Sequence, residues 1–317
     1  MSWVRRLALI GTVAGACVAV PAFAAAQGER RVDPSPVELA IAVGRLDIAE
    51  SALFEDIRRS PRGPAARGAL GAYLAARGRF EVGITLFEEA MQFGGDSTQI
   101  QNRLLELFRW TAQYDRAAAL SYAHLSTEAR EALRRAGAAG VGGVQTATVP
   151  LLPNEAFGLG RITIAVGSER VEADVQPLVT GVQLPATMAL FGAVEVIGAR
   201  GDTTFAVARA IDVGKMTIGA LPVQLIPSLQ TARIGLDVLA QLTPTFDFAA
   251  KTLTLGAGRP VRALAERWPL LLTFPGVSFV AMEGSGPVLL HAPAGRAAVR
   301  GTRWTLDLNS GAIIVER

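Results

Sequence analysis

The hydrophobic period changes once along this chain, and that change limits the folds open to it. From Val37 to about Arg135 apolar residues recur at helical spacing, whereas from Arg161 they alternate. Helices are therefore expected in a first block and strands in a second, an α+β multidomain plan. The stretch Ala136-Gly137-Ala138-Ala139-Gly140-Val141-Gly142-Gly143 between them is small and glycine-rich, and reads as a flexible linker over 136–146. A length of 317 residues suits about two domains. With 50% hydrophobic residues but only 6% aromatics, the cores must be built mainly from Ala, Val, Leu and Ile.

In the helical block, Leu39, Ala42, Val43 and Leu46 fall on one face, and Ile48, Ala49, Ala52, Leu53 and Ile57 continue a second helix. Ser60-Pro61-Arg62-Gly63-Pro64 breaks the pattern. The next unit reads Leu70-Gly71-x-Tyr73, Gly78-Arg79-Phe80-Glu81 and Leu86-Phe87-Glu88-Glu89-Ala90. This resembles a tetratricopeptide repeat, with a glycine turn between two helices. It departs from that pattern at Gly83, where alanine is usual, and at Gly94-Gly95, where a proline usually closes the repeat. A weaker unit follows over Ile100–Thr111 and Tyr114–Ala117, and Ser126–Arg135 is expected to cap the array. The block 35–135 is thus read as a tetratricopeptide-like helical domain, either a concave peptide-binding face or a spacer bracing the next domain.

Arg5-Arg6, the apolar run Leu7–Val20 and Ala22-Phe23-Ala24 form the three parts of an export signal, so 1–26 is read as a cleaved signal peptide. The protein is then expected to be periplasmic or secreted. An uncleaved anchor and lipidation at Cys17 are the alternatives. Cys17 is the only cysteine, so cleavage leaves no disulfide and no thiolate site. The two histidines, His124 and His291, do not supply a metal set. No cofactor or metal is expected. The net charge of +3 is mild and its arginines are scattered, which argues against a nucleic-acid surface.

In the second block, strands are expected at Arg161–Val166, Val171–Val175, Val194–Ile197, Thr203–Ile211 and Leu221–Ile226. A short helix is expected at Ile234–Leu239, and a hairpin at Thr245–Leu255. Between the second and third strands lies Pro177-Leu178-Val179-Thr180-Gly181-Val182-Gln183-Leu184. The ordered set of Leu178-Val179-Thr180-Gly181, Ile234-Gly235-Leu236-Asp237-Val238-Leu239 and Asp247–Leu255 resembles the retropepsin-like aspartyl proteases of exported bacterial proteins. That resemblance implies an all-β acid-protease barrel over 147–256, in which two lobes or two subunits each supply an Asp-Thr-Gly loop. Two carboxylates share one proton there, one activating water and the other polarising the scissile carbonyl. Thr180 and Gly181 keep their places, but Val179 stands where the aspartate would.

A second copy of the pattern is read at Trp304–Val315, with Asn309-Ser310-Gly311 in place of Asp-(Thr/Ser)-Gly. The stretch 257–317 is accordingly expected to be a partial, degenerate second lobe or a β extension, the alternative being a plain hairpin with Asn309-Ser310-Gly311 as its turn. Asp307 is the candidate for a displaced carboxylate. Asp237 and Asp247 are read as capping or surface residues. The sequence thus points away from catalysis and toward an exported pseudo-protease that binds or scaffolds a peptide or protein. The alternative is an active aspartic endopeptidase hydrolysing peptide bonds as a homodimer.

Overall fold

The structure is a computed structural model that describes residues 35–121, 125–137, 140–143, 146–153, 159–256, 266–273, 277–282, 286–289, 303–308 and 311–316. The expected signal peptide, Cys17, His124, His291, Asn309 and Ser310 lie outside the described residues. The first block forms α1 (Pro36–Ala42), α2 (Leu46–Arg59), α3 (Pro64–Ala76), α4 (Phe80–Gln92), α5 (Ser97–Trp110), α6 (Tyr114–Ala119) and α7 (Thr127–Ala136). Local chemistry starts several of them. Ser35 and Glu38 make a reciprocal capping box at α1, with Pro36 in the first turn. Asp96 accepts the N–H groups of Thr98 and Gln99 at 3.0 and 3.2 Å to open α5.

Each helix from α1 to α7 packs on the next. Helices α3 and α4 cross closely. A Cβ on Gly83 would lie 3.0 Å from the Ala75 Cβ and 3.0 Å from the Gly71 carbonyl oxygen. The departure from alanine at position 83 therefore has a steric cause. Tyr73 ties α3 back to α2 by donating to the Leu46 carbonyl at 2.7 Å.

The second block forms β1 (Val141–Gly143), β2 (Thr146–Pro150), β3 (Gly160–Val166), β4 (Glu169–Gln176), β5 (Val182–Pro185) and β6 (Glu195–Arg200). It continues as β7 (Thr203–Ala208), β8 (Ile211–Val213), β9 (Met216–Ile218), β10 (Leu221–Ile226), β11 (Ala232–Gly235), the short α8 (Leu236–Ala240), β12 (Thr245–Asp247) and β13 (Thr252–Gly256). The last strands are β14 (Glu266–Thr273), β15 (Val277–Met282), β16 (Gly286–Leu289), β17 (Arg303–Asp307) and β18 (Ala312–Glu316). Alternation sets their facing: Ile162, Ile164 and Val166 of β3 are buried, as are Leu221, Val223 and Leu225 of β10.

Two sheets result. The first has ten strands in the order β1-β9-β8-β3-β4-β11-β5-β10-β7-β6, and the second has eight in the order β16-β15-β14-β18-β17-β12-β13-β2. Among the described residues each sheet runs between two edge strands, β1 and β6 in the first and β16 and β2 in the second. Two expectations change. The 136–146 stretch is not simply a linker, because Val141–Gly143 pairs with Met216–Ile218 as an edge strand. The division at 256/257 is crossed by the second sheet, where Phe246 sits opposite Trp304 with ring centroids 4.3 Å apart. Of the stretch 257–317, the described strands continue that sheet, with Trp304 stacked on Phe246.

The helices and sheets also share a core. One apolar cluster runs from Phe87, Leu107 and Phe108 through Ile162, Leu184 and Leu236 to Phe246 and Trp304. Helix α7 lies against β6, β7 and β10, and Arg135 pairs with Glu195 across that contact. Gly83→Val is expected to destabilise the protein by about 1–3 kcal/mol, because the α3–α4 crossing has no room for a branched side chain. Thermal denaturation checks this. Gly68→Ala on the facing helix α3 is the contrast: a Cβ there meets nothing within 4 Å, so a gain of up to about 1 kcal/mol is expected from helix propensity.

Candidate functional site

The loop from Pro177 to Gly181 joins β4 to β5, but those two strands do not pair with each other. Strand β11 lies between them, parallel to β4 through Ala232–Gly235 and antiparallel to β5 through Arg233 and Ile234. The chain therefore crosses over the end of β11 just where β11 turns into α8. Leu178 is exposed, and Val179 and Thr180 are half-buried. Gly181 has φ +72°, a conformation costly for any residue with a Cβ, although the space beside it is open.

Beneath this loop lies the side chain of Asp237. It is buried, at 3% exposure, and both carboxylate oxygens accept from the Gly181 N–H at 3.0 and 2.8 Å. Gly181 in turn accepts from the Gly235 N–H at 2.8 Å. Gly235 must be glycine for a reason of space: a Cβ there would lie 2.2 Å from Asp237 Oδ1 and 2.3 Å from the Val179 carbonyl oxygen. Burial pushes the Asp237 carboxyl up to about 7. The Gly181 N–H opposes that rise, the Glu106 charge adds to it, and Arg109 and the Val238 N–H oppose it.

Helices α5 and α6 close the other side. Glu106 and Arg109 form an ion pair at 3.3 Å on α5. Tyr114 at the start of α6 is buried, which pushes its phenol up, and the Gln241 side chain opposes that rise. Gln241 Nε2 donates to the Asp237 carbonyl at 3.2 Å. The reading of Asp237 as a capping or surface residue is thus corrected: it is an internal acid that supports the loop. Its sequence signal was a lone carboxylate between Ile234-Gly235-Leu236 and Val238-Leu239-Ala240. Asp247, by contrast, accepts the Ala250 N–H at 2.7 Å and caps the β12–β13 turn.

The C-terminal pattern folds differently from the first. Strands β17 and β18 pair directly, Arg303 with Glu316 through Asp307 with Ala312, as an antiparallel hairpin. Direct pairing of these two strands is what the hairpin alternative for this stretch expects. No strand separates β17 from β18 as β11 separates β4 from β5. Gly311 packs on the α3–α4 turn. Its carbonyl accepts from the Leu270 N–H at 2.9 Å and from Arg77 Nη1 at 3.2 Å, and Arg77 Nη1 also donates to the Leu270 carbonyl at 2.6 Å. Burial lowers the Arg77 pKa. Asp307 belongs to the second sheet, at the end of β17, while Val179 and Thr180 belong to the first. The other nearby acid, Asp174, is held by Arg161 Nε at 2.7 Å.

A second feature lies on the helices. A cleft of about 670 Å³ runs between α1, α2, α3 and α5 and is closed along one side by Leu271 and Leu272 of β14. Its walls are apolar and small at Gly68, Ala69 and Ala72, and larger at Ile41, Phe87 and Ile100. Glu38, Asp56, Asp96 and Arg103 supply its charged groups, and burial lowers the Arg103 pKa. Among the described residues no cluster of three or more His, Cys, Asp or Glu could hold a metal ion, and no helix is long and apolar enough to cross a membrane.

No protein-family model matches the chain, and no curated protein matches it. Among solved structures it is similar to a retropepsin-like aspartic protease from Rickettsia conorii, at 13% identity and a TM-score of 0.28, over 37% of this chain and 91% of that one. A likeness of that size leaves the chemistry to the residues.

Those residues make a stability prediction. Gly235→Ala is expected to cost roughly 3 kcal/mol, at the upper end of overpacking, because the obstructing atoms include the Val179 backbone. Asp237→Ala is expected to cost about 1–3 kcal/mol by leaving the Gly181 N–H without its acceptor. Urea denaturation of the two variants measures both.

Proposed function

We propose that this chain is an exported, non-catalytic binding protein that keeps the frame of an acid-protease loop without its acid. The carrying observation is Val179 in a loop whose Thr180 and Gly181 are retained and whose support, Asp237, is buried beneath it. A valine side chain can neither give nor take a proton. Asp237 cannot replace it, because its oxygens face the Gly181 N–H and are closed off by Gly235 and the helices. Within this reading the retropepsin-like resemblance describes the origin of the loop, and the helices are the tetratricopeptide-like array that does the binding.

The cleft between those helices is the proposed binding site. Its apolar walls suit the side chains of a peptide or protein segment, with Arg103 and the acids at its edge fixing polar groups. Export follows from the leader expected over 1–26, and N-terminal sequencing of the secreted protein should find a start near Ala25 to Gln27.

Two measurements test the function. The purified protein is expected to leave an unfolded protein substrate intact from about pH 3 to pH 8, the range over which carboxylate pairs act. Val179→Asp is expected to remain inactive in a monomer, since one carboxylate has no second with which to share a proton. Cleavage by either protein, blocked by pepstatin-like inhibitors, would establish the dimeric endopeptidase instead. For binding, Gly68→Trp places a large side chain in the cleft without displacing a neighbour at Cβ. It should lower affinity for peptide-array hits at least ~10-fold, the effect of about 1.4 kcal/mol, while Gly68→Ala keeps it.

A further inference from the structure

Strand β6 ends the first sheet. It pairs with β7 on one side and with no other strand among the described residues. The backbone groups of its outer edge are therefore left to solvent or to another chain. Its six residues are exposed or half-buried throughout, and neither lysine nor proline guards the edge. Three large apolar side chains stand exposed on β6 or in the loop that leads into it: Leu190 at 81%, Phe191 at 58% and Val196 at 50%. Apolar groups gathered at a free strand edge are what a pairing chain would cover.

The register of β6 matters as much as its exposure. Pairing with β7 passes from Val196 opposite Ala206 to Gly198 opposite Phe205, so Ile197 is an extra residue in the strand. Opposite residues share a face. Glu195, Gly198 and Arg200 therefore lie on the face of Val207, Phe205 and Thr203, and Val196 and Ala199 on the other. Without the extra residue, Glu195 and Arg200 would point to opposite faces. Helix α7 covers the face they share. Arg135 pairs with Glu195, and a Cβ on Gly198 would come within 2.8 Å of Glu128 Cγ. The Arg200 charge acts on Glu128.

We propose that β6 pairs antiparallel with β6 of a second copy of this chain, about a two-fold axis between Ile197 and Gly198. This register sets Glu195 opposite Arg200 of the second copy and Val196 opposite Ala199 of the second copy, and the symmetry forms each pair twice. Opposite charges meet on the α7 face, and apolar side chains meet on the other. A carboxylate can accept from more than one guanidinium, so the Arg135–Glu195 pair is extended and not broken. Across the axis the charges alternate in sign: Arg135, Glu195, then Arg200 and Glu128 of the second copy. A two-fold contact closes after two chains, so the free edge is used up without leading to a fibre.

This dimer differs from the one an acid protease needs. Strands β10 and β7 lie between β5 and β6. In the joined sheet the two β5 strands therefore stand roughly 30 Å apart. The two Pro177–Gly181 loops, which lead into β5, are separated with them, so the pairing assembles no catalytic pair. It places two helical clefts in one particle, a consequence that rests on the binding function proposed above; the pairing itself does not.

Sedimentation velocity of the purified protein between about 1 and 100 μM is expected to show a monomer–dimer equilibrium, as suits a contact smaller than a standard interface. Glu195→Arg and Arg200→Glu each set like charges opposite one another twice, so each should raise the dimer dissociation constant at least ~10-fold. Mixed together, the two variants restore opposite charges at both pairs and should form a heterodimer. Oxidative cross-linking reads the register separately, in a Cys17→Ser background that removes the only cysteine. Val196→Cys chains mixed with Ala199→Cys chains should link, while neither links to itself, because like positions stand roughly 10 Å apart. Leu178→Cys should give no link. A chain that stays monomeric to about 100 μM overturns the proposal and leaves the edge to an extended segment of another protein. A dimer indifferent to both charge reversals overturns it too, as does one whose mixed cysteine chains fail to link or one that links through Leu178→Cys.

Discussion

A carboxyl group taken out of water must be met by donors or kept neutral, and in this protein that demand falls on Asp237. Its position makes several elements depend on one another. Strand β11 must end in Gly235, because a side chain there would occupy the space of the acid and of the Val179 carbonyl. The loop must present the Gly181 N–H, which requires the positive φ of that residue. Helices α5 and α6 must cover the acid with Glu106, Arg109 and Tyr114. The loop that carries Val179 is thus shaped from below by the buried Asp237.

The same economy of contacts joins the helical and β parts. The core cluster passes through both without a break, and Arg77 reaches from the end of α3 to two carbonyls of the second sheet. Buried charge donated to backbone acceptors has directional requirements that apolar packing lacks. Arg77 therefore fixes where the α3–α4 turn meets Leu270 and Gly311, while the apolar cluster supplies most of the attraction. One consequence is that β14 closes the side of the helical cleft, so the cleft is built by both parts of the chain.

Much of the fold could be read from the residues. Period-two alternation at Ile162, Ile164 and Val166 and at Leu221, Val223 and Leu225 placed β3 and β10, because a half-buried strand must alternate. Glycine and proline placed the helix breaks before α3 and α4. The candidate loop could be found too, since Thr180-Gly181 follows an apolar strand and precedes another. Asp237 was visible as an anomaly, a single acid in an apolar run, but its role was not, since a capping acid and a buried one look alike in one dimension. The Asn309-Ser310-Gly311 sequence invites comparison with the first loop for a related reason. Its flanks repeat the composition of the first loop, yet β17 and β18 pair with each other where β4 and β5 are held apart by β11.

Local order in the chain settled the helices and the strands, because these depend on the identity and spacing of neighbours. Long-range pairing settled the rest. That β11 comes to lie between β4 and β5, that Val141–Gly143 joins a sheet edge, and that Trp304 stacks on Phe246 all bring together residues some tens of positions apart. Such pairings are chosen by the free energy of the whole core, in which apolar residues of similar size are interchangeable partners. The alternation of a strand records which side is buried and leaves its neighbour unnamed, so the acid beneath Gly181 came into view only once the strands were in place.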